Sequence, residues 1–234
     1  MSTAPRRITR KELRQPDRFM TLLRQALGFF TTHRTPVIAS AVIFAVIVAA
    51  LLGWDLYSRR QNRLAAEEYA RAVDFYHGRK YKEALEALKR LEIYRSSFYS
   101  RLGLLYTANI QAALQDNSKA ADSLRQLIAK EQKEPIVRQT AYVSLGYLQE
   151  QGGQCQEAAS SFAEAEKIAG PLKADATLGK ARCSALTGKL KDALASYRAY
   201  VSDNPSSDRM NEISVRIQEL EAKIGEPPVA ASTK

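Results

Sequence analysis

Four segments of this chain repeat one pattern: a small residue, a large apolar residue four positions on, and an apolar or small residue three after that. They are Ala84, Leu88 and Leu91; Ala120, Leu124 and Leu127; Ala158, Phe162 and Ala165; and Ala193, Tyr197 and Tyr200. Positions four and seven apart share one face of a helix, and the alanines recur at intervals of 36, 38 and 35 residues. Each interval accommodates two antiparallel helices and their connections. Small residues let two backbones approach, and large ones fill the groove between pairs. One pair cannot cover its own apolar face, so neighbours stack into a solenoid whose last pair needs a cap. Met210, Ile213, Ile217, Leu220 and Ile224 supply that helix after Pro205. No alternating run rich in Val or Ile occurs after residue 64, so helix is the regular structure expected there.

The period and its punctuation resemble the tetratricopeptide repeat. The third unit carries Tyr142, Leu145, Gly146, Gly153, Ala158, Phe162 and Ala165, with Gly170-Pro171 as a helix stop. The fourth has Gly188, Leu190, Ala193, Tyr197 and Pro205, and the first has Gly78 and Tyr81 before Ala84. The second departs most, with Gln115-Asp116-Asn117 where a glycine turn belongs.

Ahead of the repeats, Val37 to Trp54 reads VIASAVIFAVIVAALLGW, without a charge. At about 1.5 Å per residue such a run spans roughly 27 Å as a helix, enough to cross a bilayer. Pro36 suits a first helical turn, and Trp54 and Tyr57 sit where interfacial aromatics belong. A core helix would carry a polar stripe, and here only Ser40 interrupts the run. A secretory signal would have a short basic leader, whereas some 36 residues precede this run; Val48-Ala49-Ala50 is a weak cleavage site within it. The expected organisation is a basic arm over 1–36, a transmembrane helix over 37–57, a repeat domain over 64–224 and a disordered tail over 225–234. The fold class is all-α: one N-terminal transmembrane helix, then a tetratricopeptide-like α-solenoid of about four helix pairs with a C-terminal capping helix.

The formal charge of +10 is concentrated at one end. The arm holds Arg6, Arg7, Arg10, Lys11, Arg14, Arg18, Arg24 and Arg34 against Glu12 and Asp17, while the repeat region is nearly balanced. Basicity beside an apolar span serves headgroups and topology; a nucleic-acid-binding domain needs a basic face on the fold itself. Nucleic acid is therefore not an expected partner. Arg59, Arg60 and Arg63 crowd the far side of the span, so local counts do not settle orientation, but the whole short arm favours a cytoplasmic N-terminus. Within the arm, Phe19, Leu22, Leu23, Ala26, Leu27 and Phe30 recur at helical spacing, as in an amphipathic helix lying at the membrane interface or against a partner.

Catalytic constellations are missing from the sequence. His33 and His77 are the only histidines, and no GxxxxGK[ST] or GxGxxG occurs, so neither a metal site, a bound cofactor nor an enzymatic activity is expected. Binding remains. In a tetratricopeptide array the first helix of each pair lines a groove, and the alignment places Tyr69, Val73, Tyr76, Leu105, Asn109, Val143, Tyr147, Leu178 and Arg182 there. Arrays that clasp a C-terminal carboxylate place Lys and Asn at fixed groove positions; here Leu105, Val143 and Leu178 stand instead, and a more apolar groove for proteins or peptides is expected.

The order of parts, a basic arm, a span ending in Gly53-Trp54 with Tyr57 after it, and Ala/Tyr-rich helices from about Ala65, resembles the YfgM-like ancillary subunits of the SecYEG translocon. That resemblance implies a single-pass inner-membrane protein with a periplasmic array, acting beside the translocon and a membrane-anchored peptidyl-prolyl isomerase on newly exported chains. An assembly scaffold for another envelope complex (outer-membrane, secretion or cytochrome maturation machinery) is the alternative with the same fold and compartment. Outside the cytoplasm thiols meet an oxidising environment. Cys155, near the start of the third unit's second helix, and Cys183, late in the following first helix, should then lie side by side and form a disulfide.

Overall fold

The computed structural model describes residue 20 and residues 34–225. The basic arm with its expected amphipathic helix, and the tail beyond Gly225, lie outside the described residues. All regular structure among the described residues is helical, and the chain divides into two units at Tyr57 and Ser58.

The first unit contains the beginning of helix α1, Arg34–His77, with Pro36 in its first turn. Ile38, Val42, Ile43, Phe44, Ile47, Leu51, Leu52 and Trp54 are all exposed on it. The helix is long and apolar enough to cross a membrane, and nothing in its most apolar stretch is buried.

The second unit is the solenoid. The end of α1 pairs with α2 (Tyr81–Arg90), and a 3-10 turn over Leu91–Tyr94 follows. Then come α3 (Phe98–Ala113) with α4 (Asn117–Lys130), α5 (Pro135–Gln151) with α6 (Cys155–Glu166), and α7 (Lys173–Leu186) with α8 (Leu190–Asp203). Helix α9 (Met210–Ile224) packs on α8 as the expected cap, with Ile213 and Leu220 buried in the last core cluster.

The four alanines that define the repeat, Ala84, Ala120, Ala158 and Ala193, are at most 1% exposed. Facing them is a second small-residue row at the same intervals: Ala72, Ala108, Gly146 and Ala181, all buried. Close approach of the two helices in each pair follows from these rows. Buried polar groups repeat as well. Ser123 Oγ donates to Gln111 Oε1 at 2.8 Å, and 38 residues on Ser161 Oγ donates to Gln149 Oε1 at 2.7 Å, so the same bond joins the two helices of the second and third pairs. Gln139 is fully buried and ties down the α6–α7 connection. Its Nε2 donates to the carbonyls of Ala165 and Ile168 at 3.2 and 2.7 Å, and its Oε1 accepts from Leu172 N at 3.2 Å.

The turn within every pair has one backbone geometry. In each, the residue two before the second helix has positive φ: Arg79 at 56°, Gln115 at 64°, Gly153 at 75° and Gly188 at 77°. The residue after it closes a six-residue hydrogen-bonded turn, with Lys80, Asp116, Gln154 and Lys189 N donating to the carbonyls of Phe75, Gln111, Gln149 and Ser184. Gly78 therefore stands one residue too early to relieve the strain in the first turn. In the second, the Asp116 side chain caps α4 by accepting from Lys119 N at 3.3 Å, a bond the other three turns lack. Because left-handed backbone costs an ordinary L-residue about 1 kcal/mol and glycine little, Arg79→Gly and Gln115→Gly should each raise stability by about 0.5–1 kcal/mol. The check is the urea midpoint followed by circular dichroism, and a lower midpoint for both variants would contradict the turn assignment.

Candidate binding groove

Successive first helices touch one another, α3 with α5 and α5 with α7, so their inner side chains form rows running across the repeats. The nine positions named from the sequence fall into two such rows with Tyr76 beside them. Tyr69, Leu105, Val143 and Leu178 make the first. Val143 and Leu178 are only 4% and 2% exposed, in the core clusters, while Tyr69 and Leu105 are half-buried. Val73, Asn109, Tyr147 and Arg182 make the second; Asn109 is exposed and the other three half-buried. The second row is the accessible one.

At the first pair the surface is tyrosine. Tyr69 packs against Tyr99 and edge-on against Tyr106 at centroid distances of 5.4 and 5.5 Å, and Tyr76 meets Tyr106 edge-on at 5.3 Å and Tyr81 at 6.2 Å. Burial, with the hydrogen bond to Tyr106, pushes the Tyr69 phenol well above its usual range, so it is neutral at physiological pH. The patch offers rings and hydroxyls.

At the third and fourth pairs the surface is charged and organised. Arg182 on α7 makes two parallel bonds to the Glu150 carboxylate at the end of α5, 2.9 and 2.8 Å long. Its guanidinium stands 5.8 Å from the Tyr147 ring centroid, and Tyr147 lies edge-on against buried Phe162 at 5.2 Å. The Glu150 hydrogen bonds hold the Arg182 pKa above its ordinary value. Beside this pair lies a cavity of about 320 Å³ bounded by Leu186, Tyr197, Arg216 and Leu220 among others. Leu186 is 73% exposed at its mouth. Of the nine sequence-derived positions only Arg182 lines this cavity. Glu150, Leu186 and Arg216 were missed because two of its walls, the ends of α5 and α7 and the cap α9, fall outside the repeat motif; Leu186, a large apolar residue at a helix end with no core position to fill, was the available signal.

Cys155 and Cys183 are buried free thiols with their sulfurs 2.9 Å apart. Burial, then the hydrogen bond between them, pushes the Cys183 thiol far above the usual range. Among the described residues no group of three or more His, Cys, Asp or Glu converges as a metal site would require.

A family model described as a tetratricopeptide repeat-like domain matches residues 28–222. No curated protein matches the sequence. Among solved structures, MamA is similar with a TM-score of 0.57 at 15% identity, over 69% of this chain and 82% of that one. YrrB, described as a TPR protein with an unusual peptide-binding site, gives 0.52 at 14% over 66% and 74%. PilW, a widely conserved type IV pilus biogenesis factor, gives 0.51 at 20% over 70% and 72%. At these identities the likeness is one of fold.

Proposed function

This chain belongs to the tetratricopeptide repeat-like domain family, and we propose that it is a non-enzymatic, membrane-anchored scaffold whose repeat unit binds proteins or peptides outside the cytoplasm. The observation that carries this reading is the accessible first-helix row ending at the Arg182 cavity, where exposed Leu186 stands beside fixed charges. Apolar contact with flanking polar groups is how helical grooves take peptide ligands. The exposed apolar face of α1 supports a single membrane span, with the arm cytoplasmic and the repeats on the other side.

Within that reading we place the protein in the bacterial inner membrane, with its repeats in the periplasm, beside the SecYEG translocon and a membrane-anchored peptidyl-prolyl isomerase, receiving exported chains as YfgM-like subunits do. Anchoring near an exit channel raises effective concentration, so weak groove contacts suffice. The second reading, assembly of another envelope machine, draws support from the fold shared with PilW.

Replacing Tyr147 and Arg182 is a poor test of the groove, because Tyr147 packs on Phe162 and loss of Arg182 strands Glu150. Asn109 and Leu186 are exposed, and a photoreactive residue at either leaves the core untouched. Crosslinking in intact cells should trap translocon subunits or exported chains from these sites and not from Lys191, an exposed control on α8. Trapping of envelope-machine subunits would favour the second reading, and identical products from all three sites would sink the groove. A reporter active only outside the cytoplasm, fused after Lys234, should be active; activity of a cytoplasmic-only reporter there would reverse the topology.

A further inference from the structure

A cleft in the repeat unit lies away from the first-helix rows. It encloses about 580 Å³ and is lined by residues of α2, the 3-10 turn, α3 and α4. It lies beside a second helix whose α-helical part is short. Helix α2 has 10 residues where the second helices of the later pairs have 14, 12 and 14, and α3 has 16. After Arg90 the α-helix gives way to the 3-10 turn over Leu91–Tyr94, which carries the chain on in helical backbone. In that turn Leu91 seats on Gly103, where even a Cβ would come within 2.8 Å of it. The flank of α3 beyond that contact stays uncovered.

Exposed cations converge on this cleft. Lys89, Arg95 and Lys130 line it and are exposed, and none of the three forms an ion pair among the described residues. Glu92 is the one carboxylate in the lining. Arg101 also lines it, but its charge is committed: Nε donates to buried Glu131 at 2.8 Å, and Nη1 to the carbonyls of Ser96 and Ser97 at 3.3 Å. Burial raises the Glu131 pKa, but the bonds from Arg101 and from Lys133 N and Glu134 N outweigh it and hold that carboxyl below its usual range, so this pair stays ionised. Beyond the cleft some exposed cations have acidic partners, as in Arg90–Glu68 and Lys173–Asp203, and others such as Lys82, Lys133 and Lys191 have no ion pair among the described residues, so what marks the cleft is the convergence of three on one concavity. Three uncommitted cations around one concavity, with Leu85 and Leu104 on its walls, fit an anionic ligand that also carries apolar side chains.

We propose that this cleft docks an acidic, leucine-containing peptide segment of a partner protein. A lipid headgroup would use the three cations but leave the apolar walls and the side chains of Gln126 and Ser100 without a role. A peptide uses both, with carboxylates on the rim, apolar side chains on the walls and backbone amides toward the side-chain amide. The site is independent of the first-helix rows and does not rest on the reading given for them.

The test uses the full chain in uncharged detergent and a short fluorescein-labelled peptide in which glutamate and leucine alternate, followed by fluorescence anisotropy. Saturable binding is expected, weakened by added salt. The variant Lys89→Glu/Arg95→Glu/Lys130→Glu should bind on the order of tenfold or more weakly, with helicity unchanged because all three side chains are exposed. Gln126→Trp, which fills the cleft without altering charge, should also weaken binding, whereas Leu186→Glu in the other site should not. Absence of saturable binding, equal binding by the reversed variant, or equal binding of a lysine–leucine peptide would overturn the proposal. So would weakening by charge reversal without weakening by Gln126→Trp, which is the signature of a charged surface and not a cleft. Capture by anionic phosphatidylglycerol vesicles that is lost in the reversed variant, with no peptide binding, would assign the cations to lipid and overturn it too.

Discussion

Phe162→Ala should lower the melting temperature of the repeat unit by about 6–20 °C, the equivalent of about 3–5 kcal/mol. The side chain is fully buried on α6 and is gripped from both neighbouring helices. A Cβ built on Gly146 of α5 would come within 2.7 Å of its ring, and one on Gly179 of α7 within 2.5 Å. Tyr147 meets it edge-on, linking the core to the accessible row. Truncation leaves a cavity that two helix backbones cannot fill without moving together. The two glycines supply the complementary experiment. Glycine to alanine within a helix ordinarily stabilises by up to about 1 kcal/mol, but here Gly146→Ala and Gly179→Ala should each destabilise by about 1–3 kcal/mol, because the ring has nowhere to go. Circular dichroism melts of the full chain in detergent decide the matter. A shift for Phe162→Ala no larger than that of an exposed alanine substitution, or stabilisation by both glycine replacements, would remove Phe162 from its place as the pivot between the third and fourth pairs.

What was legible in the sequence follows from which forces act at fixed spacing. The small-residue row Ala84, Ala120, Ala158 and Ala193 reports helix–helix approach, which has to recur once per unit, and all four alanines are buried as expected. The cap was readable for the same reason, since Ile213 and Leu220 continue an apolar face after a proline. Turn chemistry was only partly readable. Glycine marks the left-handed residue in the last two pairs, but Arg79 and Gln115 adopt it in the first two, where packing of flanking helices imposes a conformation the residue would not choose. The proposed groove positions lie on first helices, as the repeat period requires. Val143 and Leu178 sit on the intended helices yet face the core, because a helical phase difference of one position separates a lining residue from a buried one. Neither the Arg182 cavity nor the cleft over α3 has a sequence period, since one depends on the cap and the other lies beside a second helix whose α-helical part is short. Gln139, an ordinary polar residue in sequence, is identified as the clamp of the α6–α7 connection only by its three bonds.

The remaining large effect concerns Cys155 and Cys183, which we expect to be joined where the repeats face an oxidising compartment. Their sulfurs, 2.9 Å apart across α6 and α7, need to close by less than about 1 Å to reach bonding distance near 2.05 Å. Two thiols lose two protons and two electrons to a disulfide oxidant, and the bond links residues 28 apart in sequence. Chain entropy values such a link at about 3–4 kcal/mol. Burial of both thiols adds a kinetic expectation: an oxidant has little access to either sulfur, so the folded, reduced protein should oxidise slowly. Protein isolated with thiols blocked should resist alkylation at both cysteines until it is reduced. Reductant should then lower its melting temperature by about 6–16 °C, while leaving a Cys155→Ala/Cys183→Ala variant unmoved. Comparing those two responses separates the cross-link from the packing lost when a buried sulfur is removed. Two cysteines freely alkylated in protein taken directly from cells would exclude the bond, and would count equally against repeats that face an oxidising compartment.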